Sequence, residues 1–249
     1  MILEIDIGNT RGKWRLLEEG RVNTRGHFGT AELREGRMPG GWDKLRLETQ
    51  PKRVRVVNVA GPVVAESLVE HVRALFSLEV EFAQVLTECA GVACGYDNHR
   101  LLGADRWLAI LAAYGRVQRA ALIVDCGSAV TLDLIDNNGE HLGGYVVPGI
   151  GLMQRSLRLD THAAKSAEGL ILMESLGAGR NTDEAINRGL LLMVLGAIDR
   201  ALAELRECTG EEPIIWLTGG DGALLCSLYQ KEHHLVPELV LDGLALSNP

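Results

Sequence analysis

The chain lacks the marks of several protein classes. Its five cysteines (Cys89, Cys94, Cys126, Cys208 and Cys226) are odd in number, and no two have Cys-x-x-Cys spacing. That pattern disfavours a disulfide frame and a zinc site, and points to reduced thiols in a cytoplasmic protein. No basic and apolar leader opens the sequence, so no export signal is expected. No apolar run approaches the roughly 20 residues that cross a bilayer. Residues 189–198 come nearest, and they read as one helix face between charged flanks. Positive charge is not in excess: 25 Lys and Arg against 33 Asp and Glu leave a net charge of −8. An electrostatic grip on nucleic acid or an anionic membrane is therefore not expected. The basic stretch Lys52-Arg53-Val54-Arg55 is too short to alter this. His27, His71, His99, His141, His162, His233 and His234 show no ligand spacing, and none is assigned to a metal.

What the chain does have is a phrase used twice. Leu3-Glu4-Ile5-Asp6-Ile7-Gly8-Asn9-Thr10 returns as Leu122-Ile123-Val124-Asp125-Cys126-Gly127-Ser128-Ala129. Asp6 and Asp125, Gly8 and Gly127, and Gly20 and Gly139 are each 119 residues apart. Self-similarity of this kind signals one supersecondary unit built twice. A strand that runs into Asp-x-Gly brings a carboxylate beside the N–H groups of a tight turn. Such N–H groups form a concavity suited to phosphate, with Gly8 and Gly127 expected to allow close backbone approach and positive φ. Carboxylate and phosphate coexist when a cation lies between them, usually Mg²⁺. Lys13 could reach a phosphate as a point charge. Cys126 reads as a small apolar filler beneath the second turn.

The halves 1–118 and 119–249 read as two domains with the same order of elements. In the first, strands over 1–7, 13–17 and 21–24 form an antiparallel meander. A short helix over 31–37, a strand over 53–59, a helix from Gly61-Pro62, a strand over 79–85 and a long helix over 100–117 follow. In the second, strands over 120–124, 130–135 and 141–147 form the meander, with a favoured hairpin turn at Asp136-Asn137-Asn138-Gly139. A helix from Pro148-Gly149 to about Leu159 comes next. Thr182 then caps a long helix to about Glu207, a strand spans 213–217, and helices over 222–229 and 237–246 close the chain. The class is α/β: two mixed sheets, each with flanking helices. A ligand is expected in a cleft where two such domains face each other.

Together these features resemble the acetate and sugar kinase, heat-shock ATPase and actin superfamily, with its ribonuclease-H-like domains. Within it the chain is similar to the type III pantothenate kinases. The resemblance rests on Asp6 to Lys13, Gly95-Tyr96, Gly103-Ala104-Asp105-Arg106-Trp107, Asp125 to Asp133, Gly143 to Gly149 and Leu217-Thr218-Gly219-Gly220-Asp221. It implies ATP-dependent phosphorylation of pantothenate to 4′-phosphopantothenate, the first step of coenzyme A synthesis. It also implies a homodimer, Mg²⁺, and a monovalent cation, K⁺ or NH₄⁺. A regulatory accessory protein with silent chemistry, a nucleotide-switch chaperone, or a kinase with another hydroxyl acceptor would share the fold.

The resemblance assigns roles by position. Asp6, Ile7, Gly8, Asn9, Thr10, Arg11, Gly12 and Lys13 match the ATP-binding segment. In it, Asp6 would hold Mg²⁺ directly or through water, and Asn9 and Thr10 would hold phosphate oxygens. Ser128 stands where the family usually has Thr and keeps the hydroxyl for an ATP phosphate. Asp125 matches the monovalent-cation ligand. Gly219, Gly220 and Asp221 match the adenosine-side turn, where missing Cβ atoms would admit a flat ring. Asp105 is the expected general base, beside Gly103 and Ala104 in the substrate segment. Alone, Asp105 would read as a helix-surface charge paired with Arg106. Arg106, Tyr96 and Thr182 match pantothenate contacts, the last reaching across the dimer interface.

Overall fold

The computed structural model describes residues 1–42, 45, 50–160 and 176–249; His162, noted above, lies outside them. The described residues divide into two compact units. One comprises Met1–Ala90, Tyr96–Ala112 and Leu239–Pro249; the other comprises Gly91–Gly95 and Ala113–Glu238.

The first unit is built on a five-stranded sheet. Its strands are β1 (Ile2–Ile7), β2 (Arg11–Glu18), β3 (Arg21–Gly29), β4 (Arg53–Asn58) and β5 (Val80–Phe82), in the order β3-β2-β1-β4-β5. The first three form the antiparallel meander; β4 and β5 join in parallel. Helices α1 (Thr30–Arg34) and α2 (Pro62–Phe76) pack on one face. Side chains alternate along a strand, so Leu3, Ile5 and Ile7 enter this core with Trp14, Leu16, Val54, Val56 and the helix residues Val64, Leu68 and Val72. Full burial stabilises each such side chain by about 1.5–3 kcal/mol. Two sequence expectations are trimmed by backbone geometry. Helix α1 stops at Arg34 because Gly36 turns left-handed at φ 68°. The helix expected from Arg100 is broken: His99–Leu101 is a 3₁₀ turn, Leu102 is extended at ψ 135°, and α3 (Ala104–Val117) begins after Gly103.

Alternation sends Glu4 and Asp6 to the opposite face. Glu4 is fully buried there, flanked across both ladders by Arg15 and Arg55. Its carboxylate accepts from Arg15 Nε at 2.7 Å and Arg55 Nη1 at 3.4 Å. Arg15 Nη1 also donates to Asp242 Oδ1 at 2.6 Å. Asp242 lies on α7 (Leu239–Ser247), so the end of the chain packs onto its first sheet. Burial works against the Arg15 charge, yet Asp242 and Glu4 outweigh it and hold its pKa above the ordinary guanidinium value.

The second unit repeats the plan. Strands β8 (Ala121–Cys126), β9 (Ala129–Ile135), β10 (His141–Pro148), β11 (Ile214–Thr218) and β12 (His234–Leu235) lie in the order β10-β9-β8-β11-β12. Helices α4 (Ile150–Asp160), α5 (Thr182–Thr209) and α6 (Gly222–Leu228) complete it. Leu122, Val124, Leu132, Leu134, Ile215 and Leu217 meet Leu191, Val194, Ile198 and Leu202 of α5 in its core. A small hairpin of β6 (Glu88–Cys89) and β7 (Val92–Ala93), like β12, is too short to leave a periodic signal.

The repeats are offset in detail. Gly8, Asn9 and Thr10 join β1 to β2, one residue more than Gly127 and Ser128 between β8 and β9. The next turns compensate. Glu19 and Gly20 (φ 49° and 76°) make a two-residue hairpin loop, whereas Asn137–Gly139 make a longer one. In the longer loop only Gly139 is left-handed (φ 84°), and Asp136 Oδ1 receives the N–H groups of Asn138 and Glu140. The 119-residue spacing survives this exchange. Among the described residues, no helix is long and apolar enough to cross a membrane.

Candidate active site

Asp6 is the next-to-last residue of β1, half-buried, and pairs with Lys13 on β2 and Val57 on β4. Opposed residues share a face, so ammonium and carboxylate stems rise side by side. Beyond buried Ile7 the chain turns: Gly8 N–H donates to the Arg11 carbonyl at 3.1 Å, leaving Asn9, Thr10 and Arg11 exposed. Positive φ is not used at Gly8 or Gly127; in the meanders it falls at Gly20, Gly139 and Gly143. At Gly8 a Cβ would stand 3.3 Å from the Arg11 carbonyl, so closeness of backbone is its requirement. Gly12 is buried, and its missing Cβ admits the Phe28 ring. Sequence reasoning missed Thr30, which clamps this turn. Its hydroxyl donates to the Gly8 carbonyl at 2.7 Å and its N–H to the Thr10 carbonyl at 3.1 Å.

Asp125 holds the corresponding place on β8, paired with Thr131 and with Thr218 of β11. Gly127 N–H donates to the Ala129 carbonyl at 2.9 Å, and Ser128 is exposed. Gly149 N–H donates to the Ser128 carbonyl at 3.1 Å, a bond made 119 residues after the one from Thr30. At the end of β11, Gly219 is left-handed (φ 87°), and a Cβ there would press onto the Asp125 carboxylate and the Cys126 carbonyl. Asp221 N–H donates to that carbonyl at 2.9 Å. Gly219 is thus glycine for the sake of Asp125 and Cys126. Gly220 has open space around it. Cys126 is fully buried; burial pushes its thiol up, and the Asp125 and Asp221 charges push it further. It fills space, as its sequence context suggested. Among the described residues no three His, Cys, Asp or Glu side chains gather as a metal cluster. The donors at both turns are oxygens, which suits a hard cation completed by nucleotide oxygens and water.

The start of α3 carries the substrate-segment residues. Trp107 N–H donates to the Gly103 carbonyl at 3.0 Å, and the fully buried Trp107 ring anchors the helix. Asp105 folds back over the helix start, where its Oδ1 accepts the Arg106 N–H at 2.8 Å. A Cβ at Gly103 would lie 2.6 Å from that oxygen, so glycine makes room for the carboxylate. Asp105 lies in the first turn of α3, at the positive end of the helix dipole. Arg106 is only 9% exposed, and its Nη1 donates to the Tyr96 hydroxyl at 2.8 Å. Tyr96 and Arg106, ten residues apart, form one polar pair. The first unit therefore holds Asp6 to Lys13, Tyr96 and Gly103 to Arg106; the second holds Asp125, Ser128, Thr182 and Gly219 to Asp221.

Thr182 is not the cap of α5. Asn181 is, accepting the Glu184 N–H on Oδ1 at 2.9 Å. Glu184 answers with bonds from Asn181 Nδ2 at 2.9 Å and Arg180 N–H at 3.0 Å. The Arg180 N–H chiefly holds the Glu184 carboxyl below its ordinary value, with Arg188 and Asn181 adding to it against burial. Asn and Thr are both good caps, so adjacent candidates are separated only by backbone geometry. Thr182 is left as an exposed first-turn residue.

Comparison with known proteins bears on the chain as a whole. The family model described as type III pantothenate kinase matches residues 2–204. A type III pantothenate kinase of Ectopseudomonas mendocina is 38% identical over 259 aligned residues, covering 100% of this chain and 99% of the relative. One from Pseudomonas paraeruginosa is 37% identical, again covering 100% and 99%. Among solved structures, a Campylobacter jejuni protein assigned to the Baf family of transcriptional activators superposes with TM-score 0.62 at 22% identity, covering 98% of this chain and 95% of that one. A Sinorhizobium meliloti protein assigned as a 2-dehydro-3-deoxygalactonokinase gives 0.64 at 13% identity, covering 99% and 98%. At such identities the structures speak for the fold alone: a shared two-sheet plan with flanking helices. The family match and the full-length relatives decide the rest, and the chain belongs to the type III pantothenate kinase family.

Proposed function

We propose that this chain performs the reaction its family is named for: transfer of the γ-phosphoryl group of ATP to the hydroxyl of pantothenate, giving 4′-phosphopantothenate and ADP. This is the first step of coenzyme A synthesis, carried out in the cytoplasm. The observation that carries the reading is the Asp105 carboxylate at the start of α3, beside the Arg106–Tyr96 pair, in a chain whose whole length aligns with these kinases.

Phosphoryl transfer needs positioning and charge neutralisation more than covalent help. On this reading the halves 1–118 and 119–249 each contribute one phosphate turn. The amides of Gly8 to Lys13 and the side chains of Asn9 and Thr10 hold phosphate oxygens, and the Ser128 hydroxyl holds another. Mg²⁺, when bound, neutralises the phosphate charge and takes Asp6 as a ligand directly or through water. Asp125 is the ligand for K⁺ or NH₄⁺. Gly219 and Gly220 line the adenosine side. Asp105 accepts the hydroxyl proton as that oxygen attacks phosphorus, and aims the oxygen at the same time. Arg106 and Tyr96 meet the polar end of pantothenate, with Thr182 as a further contact.

A homodimer fits the exposed apolar side chains of the second unit: Tyr145 and Val146 on edge strand β10, and Leu192 and Met193 on α5, the last two each 63% exposed. The test of function is purified protein with ATP, Mg²⁺, K⁺ and pantothenate. Product of the phosphopantothenate mass is expected. ATP binding without product would select the silent accessory reading. Replacing K⁺ by Na⁺ should slow the reaction, and indifference to the ion would remove Asp125 from its role. Sedimentation as a monomer would remove the dimer.

A further inference from the structure

The second unit carries a thiol–imidazole pair that the kinase reaction does not use. Cys226, half-buried on α6, places its Sγ 2.9 Å from His233 Nε2. His233 Nδ1 lies 2.7 Å from the Lys231 carbonyl oxygen. A carbonyl only accepts, so Nδ1 carries the ring proton and Nε2 turns its lone pair toward the thiol. One further neighbour packs on the ring. Tyr229 packs against it at 5.9 Å, and the Tyr229 hydroxyl and Lys231 ammonium both donate to Asp199 Oδ1, at 3.1 and 2.5 Å. This is the arrangement of an activated nucleophile: a thiol, a base within reach, and a third group that orients the base.

We propose that Cys226 is a reactive thiol that exchanges with small disulfides. His233 Nε2 takes the thiol proton. The thiolate attacks one sulfur of the disulfide, a new S–S bond forms to Cys226, the original S–S bond breaks, and the leaving thiolate takes the proton back from Nε2. One disulfide is consumed, and one mixed disulfide and one thiol are made. The inference stands on this pair alone, apart from the kinase reading. Cys208 is exposed and serves as an internal reference.

The test is the native full-length chain with oxidised glutathione, quenched by alkylation and read by peptide mass mapping. Modification of Cys226 is expected at least about tenfold faster than of Cys208, since a base within reach takes the proton as the sulfur attacks. His233→Asn should remove most of that advantage and leave the Cys208 rate unchanged. Equal rates at the two cysteines in the natural chain overturn the proposal, and that comparison needs no variant to fold. An undiminished Cys226 rate in folded H233N overturns the role of the imidazole.

Discussion

The Arg106 guanidinium rests on the hydroxyl of Tyr96, Nη1 to Oη at 2.8 Å, with its carbon 5.5 Å from the ring centroid. Arg106 is buried, and the bond ties Nη1 of its guanidinium to Tyr96. Tyr96→Phe should therefore cost about one hydrogen bond, roughly 0.5–1.5 kcal/mol. If the fork meets pantothenate, the expected result is a several-fold rise in KM for pantothenate with KM for ATP unchanged. Arg106→Lys should do more harm than Tyr96→Phe, because a planar fork stacked on a ring is not replaced by an ammonium. Equal effects on both substrates would argue that the pair only supports the fold.

Asp105 is bound to its own helix start, its Oδ1 taking the Arg106 N–H at 2.8 Å. Asp105→Asn preserves shape and removes the proton acceptor. Turnover should fall by roughly 10² or more while ATP still binds. Near-normal turnover in a steady-state assay would remove Asp105 from the chemistry.

Gly219 and Gly220 are neighbours with unlike demands. Gly219 is left-handed and closes onto Asp125; Gly220 is surrounded by open space. Gly219→Ala should cost about 1–3 kcal/mol in backbone strain alone. That is a fall in melting temperature of at least about 3 °C for a chain of this size. Gly220→Ala should leave the melting temperature unchanged. A loss of ATP affinity in G220A would then report contact with nucleotide, free of any folding defect.

With the cap assigned to Asn181, Thr182 can be tested cleanly. Asn181→Ala should destabilise by about 1 kcal/mol. Thr182→Ala should leave stability nearly unchanged, so a raised KM for pantothenate in it reports substrate contact. The Glu184 bonds add a pH dependence. Its folded pKa is depressed, so its contribution is present above the unfolded carboxylate value and lost as pH falls through the lowered one. Thermal melts of the natural chain and Glu184→Gln should converge at acid pH.

Much of this molecule is legible as text. Short apolar runs leading into Asp6 and Asp125 announce strands, and the spacing of Gly20 and Gly139 announces the repeat. These signals are local: apolar runs and turn chemistry act over a few residues. The substrate segment around Asp105 is a different case, since its residue types are ordinary on a helix start. Resemblance singles it out; periodicity does not.

Other features depend on partners far along the chain. Glu4 gains its partners Arg15 and Arg55 only when the strands lie side by side, and Arg15 in turn reaches Asp242, 227 residues further along the chain. A buried carboxylate persists only with such partners. Gly219 looks like a loop glycine until β11 is laid beside β8, and only then does Asp125 forbid it a side chain.

By itself the sequence determined the element types, the duplicated meanders and the two Asp-x-Gly turns, because backbone preference and burial pattern are written within each segment. Tertiary structure alone decided which adjacent residue caps α5, that the last helix packs on the first sheet, and that Cys226 meets His233. Those outcomes turn on directions and distances between segments, which no local pattern of residues encodes.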